Sequence, residues 1–579
     1  MEANINMNRR GFLGLLGAGA GVTAMAALGG CAPQTPQTAA AQSEPETLAQ
    51  TGDWLGAAPE IAEDEIVQTI DCDLLIVGAG NAGMVAAATA ADLGLDFVVC
   101  EAGGAPAGTR MWNGFVNTSL HDAAGIKLDE MKIVNELVRY ASGICDPAVL
   151  KTWITDSADT FDYIDGIMKA EGYSCYLDTE GYENHATGGT DYVIVPIQHM
   201  WYQEEAANGL RALAGMLTPR QRNEVLLDYI GAKGHEVNFQ HKLVKLLRAE
   251  GGRAEGGIFE TSDGYVRVNA KKGTLLACGG YSANVELLEK LAPMGMYTAV
   301  NKSEPNNDGN ALKAALWIGA EKDPVGAPMV FDRGAIAPGV DAGYETGAFQ
   351  GATIQPLGSL PFIKVNRDGV RFANESAPYD VFWNQCAQQP GSVWATVFDG
   401  DYLAQAQQLN VIGCAKIGVE MLQMGAASGG IENDPIFGQK LFESGLIFKA
   451  DTLEELADAM GLPKEAFLAQ VEEYNRMSDE QRDEVFGKEG YRITPIRKAP
   501  FYGYWGGGYL MCTVDGIRIN KDMQVLDAQG GVIEGLYAAG NYAGSKFSNN
   551  YPEYFVGIAS GSAMTEGRHA VRHLAGDIA

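Results

Sequence analysis

Short apolar runs alternate with a helical pattern in the region that follows residue 70. Residues 74–77 read Leu-Leu-Ile-Val, which is typical of a buried strand. Residues 84–93 have helical character, and a second apolar run over residues 97–100 ends at Glu101. This order predicts a β-α-β unit with an acidic residue at the tip of its second strand.

The turn between that strand and helix is rich in glycine. Gly78 allows a tight turn, Gly80 lets a pyrophosphate approach the backbone, and Gly83 lets the helix lie close to the strand. Exposed N–H groups at the helix start favour phosphate, and Glu101 can accept hydrogen bonds from a ribose diol. The pattern predicts a dinucleotide site, and the alternative is a glycine turn that serves packing alone. The residues assigned to this site are Gly78, Gly80, Asn81, Ala82, Gly83, Glu101 and Ala102.

Two later apolar segments also end in glycine turns. Residues 273–278 lead into one such turn, residues 535–539 lead into another, and a helix is predicted to begin near Asp308. Three turns of this kind suggest one domain around one long cofactor. FAD fits better than NAD because its isoalloxazine ring reaches far from the first turn, although the later two could be ordinary turns. The further residues assigned to the cofactor are Ala277, Gly279, Gly280, Asp308, Gly540 and Asn541.

The composition and periodicity of the chain change twice after the first β-α-β unit. Residues 66–325 and 506–579 are interpreted as two parts of a discontinuous α/β, Rossmann-like FAD-binding domain. Residues 326–505 contain aromatic segments and amphipathic helices, and they predict an inserted α+β capping domain. A final helix is predicted over residues 557–574.

The first residues of the chain indicate export. Arg9 and Arg10, followed by an apolar stretch, resemble a twin-arginine signal, and Cys31 follows a lipoprotein-like cleavage site. Residues 1–31 are therefore interpreted as a signal read by the twin-arginine export machinery. Residues 32–65 are predicted to form a flexible linker. Lipidation of Cys31 would hold the protein on the outer face of a bacterial cytoplasmic membrane; chance placement of that cysteine is the alternative.

Charge and cysteine content remove several classes of function. The net charge of −31 argues against nucleic acid and against electrostatic binding to anionic lipid. The nine cysteines form no Cys-x-x-Cys pair, which argues against an iron–sulfur or c-type haem centre within the chain. The histidines show no metal-ligand spacing, so no metal site is predicted. Without its own relay, a redox enzyme needs an external electron donor, such as a cytochrome or a flavin protein.

The glycine motifs together resemble the FAD-dependent oxidoreductase family of soluble fumarate reductase flavoproteins and 3-ketosteroid dehydrogenases. The motifs that carry this resemblance are residues 78–83, 277–281, 365–375 and 535–541. The resemblance covers most of residues 68–579. It implies FAD, a cap that closes over the flavin, and hydride transfer at flavin N5.

The arginines that bind fumarate are absent from this chain. Fumarate reductases carry an arginine after the glutamate that Glu375 matches, and Tyr379 stands at that place. No arginine follows the Phe-Asp pair at 398–399, and the paired histidines of that branch correspond to Met-Cys at 511–512. A dicarboxylate needs arginine forks to hold two charges. Fumarate is therefore disfavoured as the substrate.

The 3-ketosteroid dehydrogenase branch fits better at two places. Tyr379 lies in a segment that resembles the one with that branch's catalytic tyrosine, and Tyr551 resembles the tyrosine that holds the substrate ketone together with a backbone N–H. Gly557 is the expected backbone partner, and Ile558 after it is also assigned to the cofactor site. The resemblance does not make the substrate a steroid.

These residues suggest how a conjugated C=C bond is reduced. Hydride from flavin N5 adds to the β-carbon, a tyrosine and an N–H stabilise the charge on the carbonyl oxygen, and Tyr379 protonates the α-carbon. Tyr402 is the second candidate acid. Glu375 is a candidate relay between tyrosines, and a plain ion pair with Arg371 is equally compatible with its position.

Two enzymatic hypotheses and one of another class follow. The first is an exported FAD-dependent reductase of an enone or aryl-enoate, which serves as a terminal reductase in anaerobic respiration. The second is a dehydrogenase of a ketone-bearing substrate such as a 3-oxosteroid, with the same residues acting in reverse. The third is a ligand-binding lipoprotein with a degenerate cofactor site, which the complete glycine set and Glu101 oppose.

Overall fold

The computed structural model describes residues 54–108, 112–182, 193–203, 222–346, 349, 353–435 and 438–578. The predicted signal and residues 32–53 of the predicted linker lie outside these ranges. Residues 54–65 do not behave as a free linker. Leu55 is buried in the main core, and the Trp317 indole donates to the Gly56 carbonyl over 3.0 Å.

An eight-stranded sheet forms the centre of the molecule. Its strands Ile66–Val77, Phe97–Cys100, Gly264–Leu276, Val532–Ala538 and Val237–Asn238 pair in parallel. Strand Gln524–Leu526 adds an antiparallel edge, and Lys242–Arg248 and Ala254–Thr261 form an antiparallel extension of Gly264–Leu276. The run at 74–77 is buried on both faces, as a central parallel strand requires.

Helices cover both this sheet and the first glycine turn. They span Asn81–Asp92, Ser119–Ala123, Glu130–Tyr140, Pro147–Ala170, Arg222–Gly231, Val285–Leu291, Asn310–Trp317 and Ile558–Ala575. The first and last of these cross closely, because an added Cβ at Gly567 would lie 2.3 Å from the Ala82 carbonyl oxygen. A small sheet of Asn113–Gly114, Ser174–Leu177 and Gln198–Tyr202 lies beside them. None of the described helices has an apolar stretch long enough to span a membrane.

A second, mainly antiparallel sheet of six strands builds the other half. Its strands are Val300–Asn301, Pro328–Ile336, Ile363–Val365, Val393–Phe398, Ile447–Ala450 and Phe501–Thr513. The helices in this part are Tyr379–Cys386, Tyr402–Gln408, Lys416–Ala427, Gly438–Glu443, Leu453–Met460 and Lys464–Glu480. The predicted α/β class with an inserted α+β part is confirmed. The predicted limits of the cap are too narrow, since the sheet begins at Val300 and the boundary after residue 505 falls inside strand Phe501–Thr513.

Candidate functional site

The three glycine turns meet at one cavity of about 300 Å³. The assigned residues that line it are Gly78, Gly80, Asn81, Ala82, Glu101, Ala102, Ala277, Gly279, Gly280, Asp308, Gly540 and Asn541. The strand ends of the parallel sheet thus converge on one site, as expected for a nucleotide site in an open α/β sheet. Gly83, Gly557 and Ile558 are outside this lining.

The first three glycines have the geometry that their spacing predicts. Gly78 has φ +103°, and an added Cβ there would lie 2.4 Å from the Ala277 carbonyl oxygen. At Gly83 an added Cβ would lie 1.8 Å from the Gly78 carbonyl oxygen, whereas at Gly80 nothing lies within 4 Å. Gly83 is therefore a packing residue, and the open space at Gly80 is a cradle for a ligand.

Glu101 is fixed at the tip of its strand by two backbone groups. Its Oε2 accepts from the Ala79 N–H and its Oε1 from the Gly103 N–H, both over 2.7 Å. Each carboxylate oxygen has two lone pairs, so each can still accept from a hydroxyl group. A 6 % exposed carboxylate on the cavity wall suits a ribose diol.

A buried amide network surrounds the start of helix Asn81–Asp92. The Asn81 amide donates to Ser560 Oγ over 2.9 Å, and its oxygen accepts from the Arg222 guanidinium. Arg222 also donates to Asn113 Oδ1 over 2.7 Å. Burial lowers the pKa of Arg222 to about 10, which keeps it charged at neutral pH. This positive charge adds to the helix N-terminus in favouring a pyrophosphate. No sequence pattern indicated Arg222.

A buried ion pair holds the third glycine turn. Lys546 Nζ contacts Glu566 Oε1 over 2.8 Å and donates to the Gly540 carbonyl over 3.0 Å. The Gly540 N–H in turn donates to Glu566 Oε2 over 2.8 Å. Asn541, which follows, donates to Cys512 Sγ over 3.3 Å. The turn is thus rigid beside the cavity, and sequence reasoning did not find this lysine or glutamate.

Tyr379 and Tyr551 come together next to this cavity. Their rings are nearly parallel, at 6° with centroids 6.5 Å apart, and the side chains are 2 % and 3 % exposed. Phe331 connects them to the cavity, because its ring lies 4.6 Å from Tyr379 and 5.8 Å from the cavity-lining Tyr509. Burial and the neighbouring Tyr551 raise the pKa of Tyr379 well above its ordinary value, so the phenol stays protonated.

The start of the last helix contacts Tyr551. The Ala559 N–H donates to the Tyr551 hydroxyl over 3.2 Å, and Ala559 itself lines the cavity. Gly557 has φ +80°, and its carbonyl accepts from the Gly114 N–H over 2.8 Å. The Ala559 N–H thus positions the tyrosine, and the Gly557 N–H remains the predicted partner of the substrate ketone. The bond and the helix N-terminus make the Tyr551 O–H a stronger donor.

The other two proposed catalytic residues lie in separate surroundings. Tyr402 packs against Phe398 and Tyr502, with ring centroids 6.1 and 5.7 Å away, in another apolar cluster. Glu375 forms two bonds of 2.7 and 2.8 Å with Arg371, and Lys488 Nζ lies 3.4 Å away. Of the two roles considered for Glu375, the ion pair is the one that the structure contains.

Two polar residues near the tyrosine pair, Glu553 and Arg333, were not predicted from the sequence. Glu553 Oε2 accepts from the Tyr379 N–H. Arg333 donates to Ser359 Oγ over 2.7 Å and contacts Cys414 Sγ at 3.1 Å. Burial, with a contribution from nearby acidic groups, raises the pKa of Glu553 to about 8. The position of Glu553 two residues after Tyr551 was the only available signal; nothing pointed to Arg333.

The donor set fits FAD and offers no metal centre. Among the described residues, no cluster of three or more histidine, cysteine, aspartate or glutamate side chains could hold a metal ion. The cradle at Gly80, the carboxylate of Glu101 and the charge of Arg222 match a pyrophosphate flanked by a ribose. The walls formed by Tyr509 and Ala559 extend the cavity to the tyrosine pair.

Comparison with known protein families supports FAD as the cofactor of this chain. Residues 73–553 match the family described as FAD binding domain, and the chain belongs to that family. It is therefore an FAD-dependent oxidoreductase, and the predicted family and cofactor are confirmed.

Three similar proteins illustrate the range of this family. Vinyl phenol reductase from Lactiplantibacillus plantarum is 26% identical over 513 residues, which are 86% of this chain and 96% of that protein. A 3-oxosteroid 1-dehydrogenase from Mycobacterium tuberculosis is 26% identical over 343 residues, 53% of each chain. The crystal structure of 3-ketosteroid delta1-dehydrogenase from Sterolibacterium denitrificans has a TM-score of 0.65 at 20% identity, over 88% of this chain and all of that one.

Proposed function

We propose that the protein reduces a C=C bond conjugated to a carbonyl group, in an enone or an aryl-enoate. The observation that carries this proposal is the stacked pair of Tyr379 and Tyr551 beside the cofactor cavity. One phenol is positioned by a helix N-terminus, and the other makes no hydrogen bond with any described residue. The similarity to a reductase of vinyl phenol supports the same direction of reaction.

Each tyrosine has a distinct part in this reaction. Bound FAD supplies a hydride from its N5 position. Tyr551, backed by the Ala559 N–H, donates to the substrate carbonyl and stabilises the negative charge that develops there. Tyr379 gives its proton to the α-carbon. Its raised pKa makes the resulting phenolate unfavourable, so a proton must return to it in every turnover.

Export and electron supply are part of the proposal. The twin-arginine-like signal and Cys31 support a lipoprotein on the outer face of the cytoplasmic membrane, delivered folded by the twin-arginine export machinery. Electrons would come from an external cytochrome or flavin protein, as expected for a terminal reductase in anaerobic respiration. Globomycin sensitivity of membrane attachment, compared with a Cys31→Ser variant, tests the lipid anchor.

The reaction is tested by anaerobic oxidation of reduced methyl viologen with FAD-loaded protein lacking residues 1–31. The panel contains enones including 3-oxosteroids, cinnamate-type acids, urocanate and fumarate. We expect turnover of enones or aryl-enoates and none of fumarate. Turnover of fumarate alone would contradict the proposal, because Tyr379 stands where fumarate reductases carry an arginine.

The reverse reaction is the second candidate. Its support is the similarity to a 3-oxosteroid 1-dehydrogenase together with the tyrosine segments. In that direction Tyr379 removes the α-proton and Tyr551 polarises the ketone. Oxidation of saturated 3-ketones with an artificial acceptor, faster than reduction of any panel member, would favour the dehydrogenase.

A further inference from the structure

Two buried carboxyl groups and a partly exposed tyrosine lie around the candidate proton donor Tyr379. The half-buried Tyr140, at the end of helix Glu130–Tyr140, donates its hydroxyl proton to Asp380 Oδ1 over 2.6 Å. Asp380 is 3 % exposed and follows Tyr379 directly in the first turn of helix Tyr379–Cys386. Glu553 accepts from the Tyr379 N–H on the other side.

The usual explanation for buried carboxylates, pairing with cations, does not account for these two. Neither Asp380 nor Glu553 has an ion pair within 4.0 Å among the described residues. Glu375, by contrast, is held by Arg371 and Lys488, which lower its pKa to about 2 against the effect of burial. A carboxylate fixed in that way cannot give up and regain protons at neutral pH, so Glu375 is a poor relay.

We propose that Tyr140, Asp380 and Glu553 form a proton-delivery route that returns a proton to Tyr379 after each turnover. This inference rests on the proposed function, in which Tyr379 is the proton donor. A proton enters from water at Tyr140, passes to Asp380 and then Glu553, and reaches the Tyr379 phenolate directly or through bound water. The balance is complete: one hydride and one proton add to the C=C bond, and one solvent proton restores the phenol.

The electrostatics of the route fit this task. Burial raises the pKa of Asp380 to about 7 and that of Glu553 to about 8, so both can exchange protons near neutral pH. Burial and Asp380 keep the pKa of Tyr140 well above its ordinary value, so it acts as a neutral shuttle. The charged and titratable groups that interact with Glu553 are Asp332 and Arg333 on strand Pro328–Ile336, Lys364 on strand Ile363–Val365, Tyr379, Asp380, Cys414 and Tyr140. Tyr554 interacts with Tyr140.

The test separates the first turnover from the steady state. In reduced, FAD-loaded protein the phenol of Tyr379 already holds a proton, so flavin reoxidation in one turnover does not need the route. We expect Glu553→Gln, Asp380→Asn and Tyr140→Phe to keep the first-turnover rate and to lower the steady-state rate by about 10- to 100-fold. The loss should grow above pH of about 8, where fewer protons are available to the phenolate. Added small weak acids should restore part of the rate.

Control variants come from the same chain. Asp165 is a buried carboxylate that accepts from the Trp201 indole, away from the tyrosine pair, and Asp165→Asn controls for replacing a buried acid. Tyr402→Phe controls for loss of a phenol. Infrared spectra of the FAD-free protein give a readout without turnover. The protonated carboxyl band seen near neutral pH in the wild type should be weaker in Glu553→Gln and also in Asp380→Asn.

Several outcomes would overturn the inference. Equal losses in the first turnover and the steady state would mean that the residues only position Tyr379. Unchanged steady-state rates in all three variants, or a loss in Glu553→Gln alone, would exclude a route from Tyr140. Absence of any C=C reduction by the wild type is the separate result that removes the proposed function.

Discussion

Alanine at Gly83 should destabilise the protein, whereas alanine at Gly80 should stabilise the FAD-free protein and weaken FAD binding. At Gly83 the new methyl would lie 1.8 Å from the Gly78 carbonyl oxygen and 2.9 Å from its carbon. The turn at Gly78 cannot easily move away from the added methyl group, because two hydrogen bonds hold it in the sheet. The Gly78 N–H donates to the Cys100 carbonyl over 2.7 Å, and the Ala277 N–H donates to the Val77 carbonyl over 2.8 Å. Relief of the clash must therefore separate the first helix from the sheet.

The size of each effect follows from these contacts. Overpacking of this kind costs about 3 kcal/mol, and in a cooperative unit of more than 300 residues that lowers the melting temperature by roughly 3–4 °C. Gly80 has φ −83° and nothing within 4 Å of an added Cβ. Gly80→Ala should raise the free energy of unfolding of the FAD-free protein by about 0.4–1 kcal/mol, because alanine lowers the conformational entropy of the unfolded chain. Its methyl occupies the cradle, and loss of one charged hydrogen bond there weakens FAD binding about 10- to 100-fold.

Two measurements check the predictions for Gly83→Ala and Gly80→Ala. Thermal unfolding of the FAD-free variants gives stability, and quenching of flavin fluorescence gives the dissociation constant of FAD. If Gly80→Ala bound FAD as tightly as the wild type, the pyrophosphate would not lie at this turn. If Gly83→Ala melted at the wild-type temperature, the close approach of helix and sheet would be wrong.

Other variants test the catalytic groups and the buried ions. Tyr379→Phe should lower kcat by about 10²-fold or more with FAD content unchanged, whereas Tyr402→Phe should leave steady-state kinetics intact. Tyr551→Phe should raise the barrier by about 3 kcal/mol, measured as kcat/KM on the best panel substrate. Glu375→Gln leaves Arg371 without its main partner and should cost about 3–5 kcal/mol of unfolding free energy at neutral pH. The folded pKa of about 2 is below the unfolded value of about 4.3, so this contribution is present above that value and is lost as pH falls towards 2, which urea unfolding at several pH values can follow.

The cofactor site could be predicted because it depends on local geometry. Each of the first three glycines is required for a different physical reason: a tight turn, open space for a ligand, or close packing of the helix on the strand. The spacing of the glycines alone indicates all three roles. The carboxylate that follows the second strand is equally local, since a strand end fixes its place. Arg222 could not be found this way, because it reaches the cradle from a helix more than a hundred residues later.

The candidate catalytic tyrosines could be selected only by resemblance. The chain has 23 tyrosines, and spacing does not separate Tyr379 from Tyr402. Their difference is tertiary: one stacks on Tyr551 at the cavity, and the other packs in an apolar cluster with Phe398. Glu375 was equally ambiguous, because pairing with Arg371 and relaying a proton require the same residue at the same position.

The charges around the tyrosine pair also limit the substrate. Asp332, Asp380 and Glu553 interact with one another, and this repulsion adds to burial in raising the pKa of Asp380 and of Glu553. Arg333 and Lys364 offset part of that negative charge. A dianion placed beside this cluster would be repelled by its negative charge, which costs binding free energy. A neutral or singly charged carbonyl compound meets less repulsion, and under the proposed function the charge that develops during its reduction would be stabilised by Tyr551 and the helix N-terminus. The tyrosine at position 379, where fumarate reductases carry an arginine, and the acidic surroundings of that tyrosine thus have the same consequence for the choice of substrate.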